Sequence, residues 1–152
     1  MNGRLLNKKL HNQLGFTLLE LLVVIAVIGV LASLAVPRLQ GQIQRARFVE
    51  VVNATGPFKI AVEACAQTNN GLAGCNAGAN GIPAATAAAS GSVASVNVAA
   101  GVITATSVAA NFSAGATTYI LTPALAGANT ANGVTWAVNA NSTCLGAALC
   151  SQ

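Results

Sequence analysis

GFTLLELLVVIAVIGVLASLAV, residues 15–36, is an apolar run interrupted by one carboxylate, Glu20. About 20 apolar residues are enough to cross a bilayer as a helix. An acidic side chain in such a segment costs roughly 2.5 to 3.5 kcal/mol on insertion scales, so a charge retained there reads as a functional one. The run is preceded by MNGRLLNKKLHNQLG, which carries Arg4, Lys8 and Lys9. By the positive-inside rule those charges hold this end in the cytoplasm, and everything after residue 36 is expected on the other side. A secretory signal would instead have a shorter apolar core followed by its small-residue cleavage site.

The signature G-F-T-L-L-E followed by an apolar run resembles the leader and helix start of type IV prepilins, and Gly29, Pro37, Arg45 and Pro57 match the type IVa subgroup. The resemblance covers about the first 65 residues closely and is architectural beyond. It implies cleavage by a prepilin peptidase between Gly15 and Phe16, N-methylation of Phe16, and an assembly role for Glu20, five residues into the mature chain. Residues 1–15 are then a removed leader, 16–36 the transmembrane and assembly half of a long helix, and 37–152 the periplasmic or extracellular head. The precursor is expected in the inner membrane and the assembled subunit in an extracellular pilus. The implied partners are further copies of the same chain, the prepilin peptidase, the inner-membrane assembly platform, minor pilins and the membrane.

Composition narrows the head. The chain has seven Lys and Arg and three Asp and Glu, and three of the basic residues lie in the leader. After Glu63 the remaining 89 residues hold no Asp, Glu, Lys, Arg or His. Disordered segments are usually charged and poor in β-branched residues. This one is rich in Val, Thr and Ile and is expected to fold as a neutral, β-rich head. Strand signals fall at 92–98, 101–107, 117–122 and 134–139, with a turn at Asn132 and Gly133 before the last. Residues 66–91 are broken by Asn, Gly and Pro and read as loop.

The first element is expected to be one helix from about Phe16 to about Gln67, with weak points or kinks at Gly29, Pro37 and Pro57. Leu39, Ile43, Ala46, Ala54, Phe58, Ala61 and Cys65 recur at helical spacing and predict the face turned toward the sheet. Arg47 and Glu50 stand three apart, close enough to pair on the helix surface. The expected fold is α+β: a long N-terminal helix, transmembrane in its first half, packed on a small antiparallel sheet, which is the pilin ladle that the resemblance also implies.

Cys65, Cys75, Cys144 and Cys150 all follow the span, where an even count in an oxidising compartment reads as disulfides. Three pairings are open on paper. Local pairing is expected, Cys65 with Cys75 closing the loop after the helix and Cys144 with Cys150 pinning the C-terminal tail, the latter resembling the family's disulfide-bounded loop. No C-x-x-C pair occurs and the single histidine, His11, is in the leader, so no metal site is expected.

No catalytic set is present, because the mature chain lacks a histidine and its three carboxylates are scattered. Glycine-rich 71–81 lacks the phosphate-loop pattern, and no cofactor is expected. The 89 residues after Glu63, without Lys or Arg, give no basis for direct nucleic-acid binding. The reading is a structural subunit, the major pilin of a type IVa pilus, with adhesion, surface motility and DNA uptake as implied roles. The alternative is a minor pilin or a type II secretion pseudopilin. Against the latter, no carboxylate follows Glu63 to serve the calcium that major pseudopilins hold.

Overall fold

The structure, a computed structural model, describes residues 16–86, 89–126 and 133–152, with the side chains at 37 and 38 excepted. The expected leader and its Gly15 lie outside the described residues, as does Asn132 of the expected turn. Two compact units are separated between Arg38 and Leu39, a boundary within helix α1 (Leu18–Asn53).

In the first unit α1 passes through Gly29 without a break in the helix. Every described residue from Phe16 to Val36 is exposed. Ser33 donates to the Val30 carbonyl at 2.7 Å, so the one hydroxyl inside α1's apolar run is satisfied within its own helix. Leu18–Val36 is 19 residues, long and apolar enough to cross a membrane.

In the second unit the expected single helix is divided. α1 ends at Asn53 and α2 (Gly56–Asn69) follows. Pro57 has no N–H to offer the Asn53 carbonyl and disfavours helical backbone at the residue before it. It therefore stands in the first turn of a new helix, where a missing donor is harmless. Thr55 fills the break, its N–H and hydroxyl both donating to the Val52 carbonyl at 3.1 and 2.7 Å.

The sheet is antiparallel in the order β1 (Val93–Ala99), β2 (Val102–Ser107), β3 (Thr118–Leu125), β4 (Val134–Val138). All four fall where the alternating Val, Thr and Ile pattern predicts. Register puts Val96, Ala105 and Tyr119 in one row and Val98, Ile103, Leu121 and Val138 in the next, on one face. The β1–β2 link is two residues, Ala100 and Gly101, both at positive φ. Asn76 Oδ1 and the Cys75 carbonyl accept from their N–H groups, each at 2.8 Å, which holds Ala100 in a conformation that strains a residue with a Cβ. The chain continues into a short helix α3 (Thr143–Gly146) beside β3.

Phe48, Val51, Thr55, Phe58, Val62 and Cys65 form a buried stripe spaced three and four apart across the break, with Ala66 buried beside Cys65. Phe58 and Cys65 belong to the predicted face. Ala54 and Ala61 of that face are half-buried against the core, whereas its Leu39, Ile43 and Ala46 are exposed, Leu39 and Ile43 by more than half. Outer α1 carries two apolar stripes, and the sheet covers the one through Phe48. Phe48 meets the edges of Phe112 and Tyr119 at ring-centroid distances of 5.8 and 6.4 Å, favourable geometries beyond the area they bury.

Disulfides join Cys65 to Cys75 and Cys144 to Cys150, with Cα separations of 5.9 and 5.5 Å. Loops this short each stabilise by about 2.5 kcal/mol on the chain-entropy account. Burial raises the Tyr119 hydroxyl pKa above its ordinary 10.0. The folded state then holds that proton more tightly than the unfolded chain, so this contribution is complete below pH 10.0 and is lost as pH rises beyond it. Tyr119→Phe is expected to lose less stability than wild type between about pH 9 and about pH 11 in denaturant melts. Equal losses would contradict the assignment.

Candidate assembly site

Thr17 precedes the first helical residue, and its Oγ1 accepts from the Glu20 N–H at 3.2 Å. Thr17 thus acts as an N-cap, satisfying one orphan donor of the helix start. Glu20 sits in the first turn, where the positive end of the helix dipole favours a carboxylate. That relieves part of the expense of a charge within the apolar run. Among the described residues the Glu20 carboxylate has no partner and is exposed. Thr17 was legible as the cap from its three-residue spacing to Glu20 and was missed.

Chemically this end offers an unpaired anion, a capped helix start and an uninterrupted apolar surface. Phe16 is 78% exposed and Leu18 87%. No side chain of this kind suggests catalysis. Together they suit axial packing of like helices with one charge marking the register.

In the second unit, polar side chains of the helices act as pegs for the sheet and its loops. Glu50 does not pair with Arg47. It turns to the start of β1, where its Oε2 accepts from Ser92 N–H at 3.0 Å. Gly91 is at positive φ, and a Cβ there would collide with the same carboxylate, so the close approach requires glycine. Gln44 Oε1 accepts from the Ser113 hydroxyl at 2.9 Å. Arg45 Nε donates to the Ala148 carbonyl at 2.9 Å, tying α1 to the Cys144–Cys150 loop. Glu63 accepts from the Trp136 indole N–H at 2.7 Å, and Lys59 Nζ lies 5.5 Å from the centre of the same ring, one helical turn away. Sequence reading found none of these contacts, because each joins residues more than forty apart. Among the described residues no group of His, Cys, Asp and Glu could hold a metal ion.

An exposed apolar helix with a capped, charged start, followed by an α+β unit that is stapled by two disulfides and uncharged after Glu63, defines a filament-subunit class of protein. Comparison with known proteins is specific. Residues 10–36 match a prokaryotic N-terminal methylation motif, and residues 44–147 match the pilin family of bacterial filaments. The chain belongs to the pilin family. It is 44% identical over 69 residues to the type IV pilus subunit protein TapA of Aeromonas hydrophila, covering 45% of this chain and 49% of that one. It is 45% identical over 53 residues to the type IV major fimbrial protein FimA of Dichelobacter nodosus, covering 35% and 34%. A probable minor fimbrial protein of Dichelobacter nodosus is 45% identical over 58 residues, covering 38% and 35%. The chain thus spans about half or less of the length of these curated relatives. Pilins are structural proteins that polymerise into extracellular filaments, and the methylation motif implies processing by a prepilin peptidase.

Proposed function

We propose that the chain is the major subunit of a type IVa pilus, matured by cleavage between Gly15 and Phe16 and methylation of the new Phe16 amine. The observation that carries this reading is Glu20, an unpaired carboxylate in the first turn of an exposed apolar helix. Cleavage creates an amine on Phe16, four residues before it. In a filament the amine of one copy meets the Glu20 carboxylate of a copy displaced along the axis. In a low-dielectric core such a pair is far more favourable than two unpaired charges. Methylation keeps the positive charge, so the pairing survives it.

Leu18–Val36 is then the bilayer anchor of the precursor in the inner membrane and the packing surface of the assembled filament. Gly29 and Pro37 mark where α1 is able to lose helical hydrogen bonds on assembly, Pro37 having no donor and Gly29 the least helix preference of ordinary residues. The assembly platform, the minor pilins and the roles in adhesion, surface motility and DNA uptake follow from the same reading. A minor pilin or pseudopilin shares the stalk. The absence of any carboxylate after Glu63 favours a pilin over a calcium-holding pseudopilin.

Mass spectrometry of sheared filaments is expected to give a chain beginning at Phe16 and one methyl group heavier than the unmodified fragment. This chain as the most abundant polypeptide in those filaments would support the major-subunit reading. An N-terminus upstream of Phe16 or within residues 30–40 would refute the processing scheme, and scarcity in filaments would refute the major role.

A further inference from the structure

The two edges of the sheet are treated differently by the fold. On the β1 side, Thr86 and Val96 exchange backbone hydrogen bonds at 3.0 and 3.3 Å, and Ala77 N–H donates to the Val98 carbonyl at 3.0 Å. That edge is covered. On the β4 side, Asn139 N–H reaches the Ile120 carbonyl at 2.9 Å, and Ala126 N–H reaches the Gly133 carbonyl at 3.0 Å. In an antiparallel ladder the residues facing the neighbour alternate. Positions 133, 135, 137 and 139 therefore face β3, and the backbone groups of Val134, Trp136 and Val138 point away from the sheet. Among the described residues nothing pairs with them.

Natural edges are normally blunted by Lys, Pro, a bulge or a covering segment. Val-Thr-Trp-Ala-Val has no charge and no Pro, and no Asp, Glu, Lys, Arg or His follows Glu63 anywhere in the chain. The strand is also held in place before any partner arrives. From α2, Glu63 binds the Trp136 indole and Lys59 lies over its ring, so little ordering remains to be done on pairing.

We propose that this edge is an interaction surface for β4 of a second copy, paired antiparallel about Trp136. The segment is self-complementary: with Trp136 opposite Trp136, Val134 falls opposite Val138 and Thr135 opposite Ala137. The six outward N–H and C=O groups of each strand are the ones that such a pair satisfies, and no like charges meet. A two-fold contact of this kind cannot link successive subunits of one filament, which are related by a screw operation. Resting on the pilus reading above, it joins two filaments side by side, and because no charge takes part it is insensitive to salt.

Sheared filaments of wild type, Val134→Pro and Ala137→Lys test this. Val134→Pro removes an outward donor while leaving the bonds of Thr135 and Ala137 to β3, and Ala137→Lys sets a charge on the exposed face of the edge. Wild-type filaments are expected to lie in lateral bundles by electron microscopy and to sediment at low speed equally from about 0.05 to about 0.5 M salt. Each variant is expected to give single filaments, with low-speed sedimentation down at least about ten-fold on the loss of the paired edge, at unchanged filament yield. Wild-type filaments that stay single, or variants that bundle as wild type does, would overturn the proposal. So would bundles that dissolve when a co-purifying polypeptide is stripped, since the edge would then belong to a different partner. If no filaments form, the pilus reading fails separately, and the full chain in detergent micelles decides the edge: a wild-type dimer made monomeric by Ala137→Lys supports it, and a wild-type monomer overturns it.

Discussion

Glu20→Ala is expected to leave the precursor in the membrane, or to improve its insertion, while cutting filament yield by two orders of magnitude or more. Removing a carboxylate from an apolar run favours partitioning by roughly 2.5 to 3.5 kcal/mol at most, and less near the helix end. In the assembled core the same change strands the Phe16 amine of a neighbouring copy. An uncompensated buried charge costs about 3 to 5 kcal/mol, a factor of about 100 to several thousand at each subunit contact. Membrane fractionation and filament yield read the two effects separately. Wild-type yield from the variant would remove the pairing from the mechanism. Glu20→Asp keeps the charge but shortens its reach, so partial yield is expected from it.

Phe48→Ala is expected to destabilise the second unit by about 3 to 5 kcal/mol, the range for deleting a fully buried aromatic ring. Phe48 is 0% exposed and meets two aromatic edges, so little of the space left behind is able to close. For a domain of this size the loss lowers the melting temperature by roughly 15 °C. Ile43→Ala is the informative comparison. Ile43 is 51% exposed, and its truncation is expected to change stability by about 0.5 kcal/mol or less. Similar effects from the two substitutions would mean that the wrong stripe of α1 has been assigned to the core.

The contrast between those two residues marks where sequence reading stopped. Residues 39, 43 and 46 and residues 48 and 51 are both apolar sets at helical spacing, and periodicity along one helix says only that such stripes exist. Which of them is covered depends on where the sheet docks, and the sheet lies forty and more residues further on. The break at Asn53 had a local cause, Pro57 after Gly56, but its form did not. A proline is compatible with a kinked continuous helix or with a restart, and the Thr55 side chain bonding back to Val52 selects the restart.

Glu50 and Glu63 show the same limit for charges. A three-residue spacing to Arg47 made a surface pair reasonable for Glu50, yet a backbone N–H presented by the turn at Gly91 and Ser92 is the partner it takes. Glu63 had no candidate partner in its own helix, and Trp136 reaches it only because β4 lies at the end of the strand order.

What the sequence determined by itself is whatever local chemistry decides. A bilayer-length apolar run with a capped acidic start, four strands set by alternation between turn residues, and a C-terminal stretch free of charge after Glu63 are all properties of short windows, and composition cannot be altered by folding. What the tertiary structure alone decided is the choice among locally equivalent options. The covered stripe of α1, the loop that each polar peg holds, and a β4 edge left unpaired among the described residues opposite a covered β1 edge depend on contacts between distant segments, whose energies exist only once the chain has brought them together.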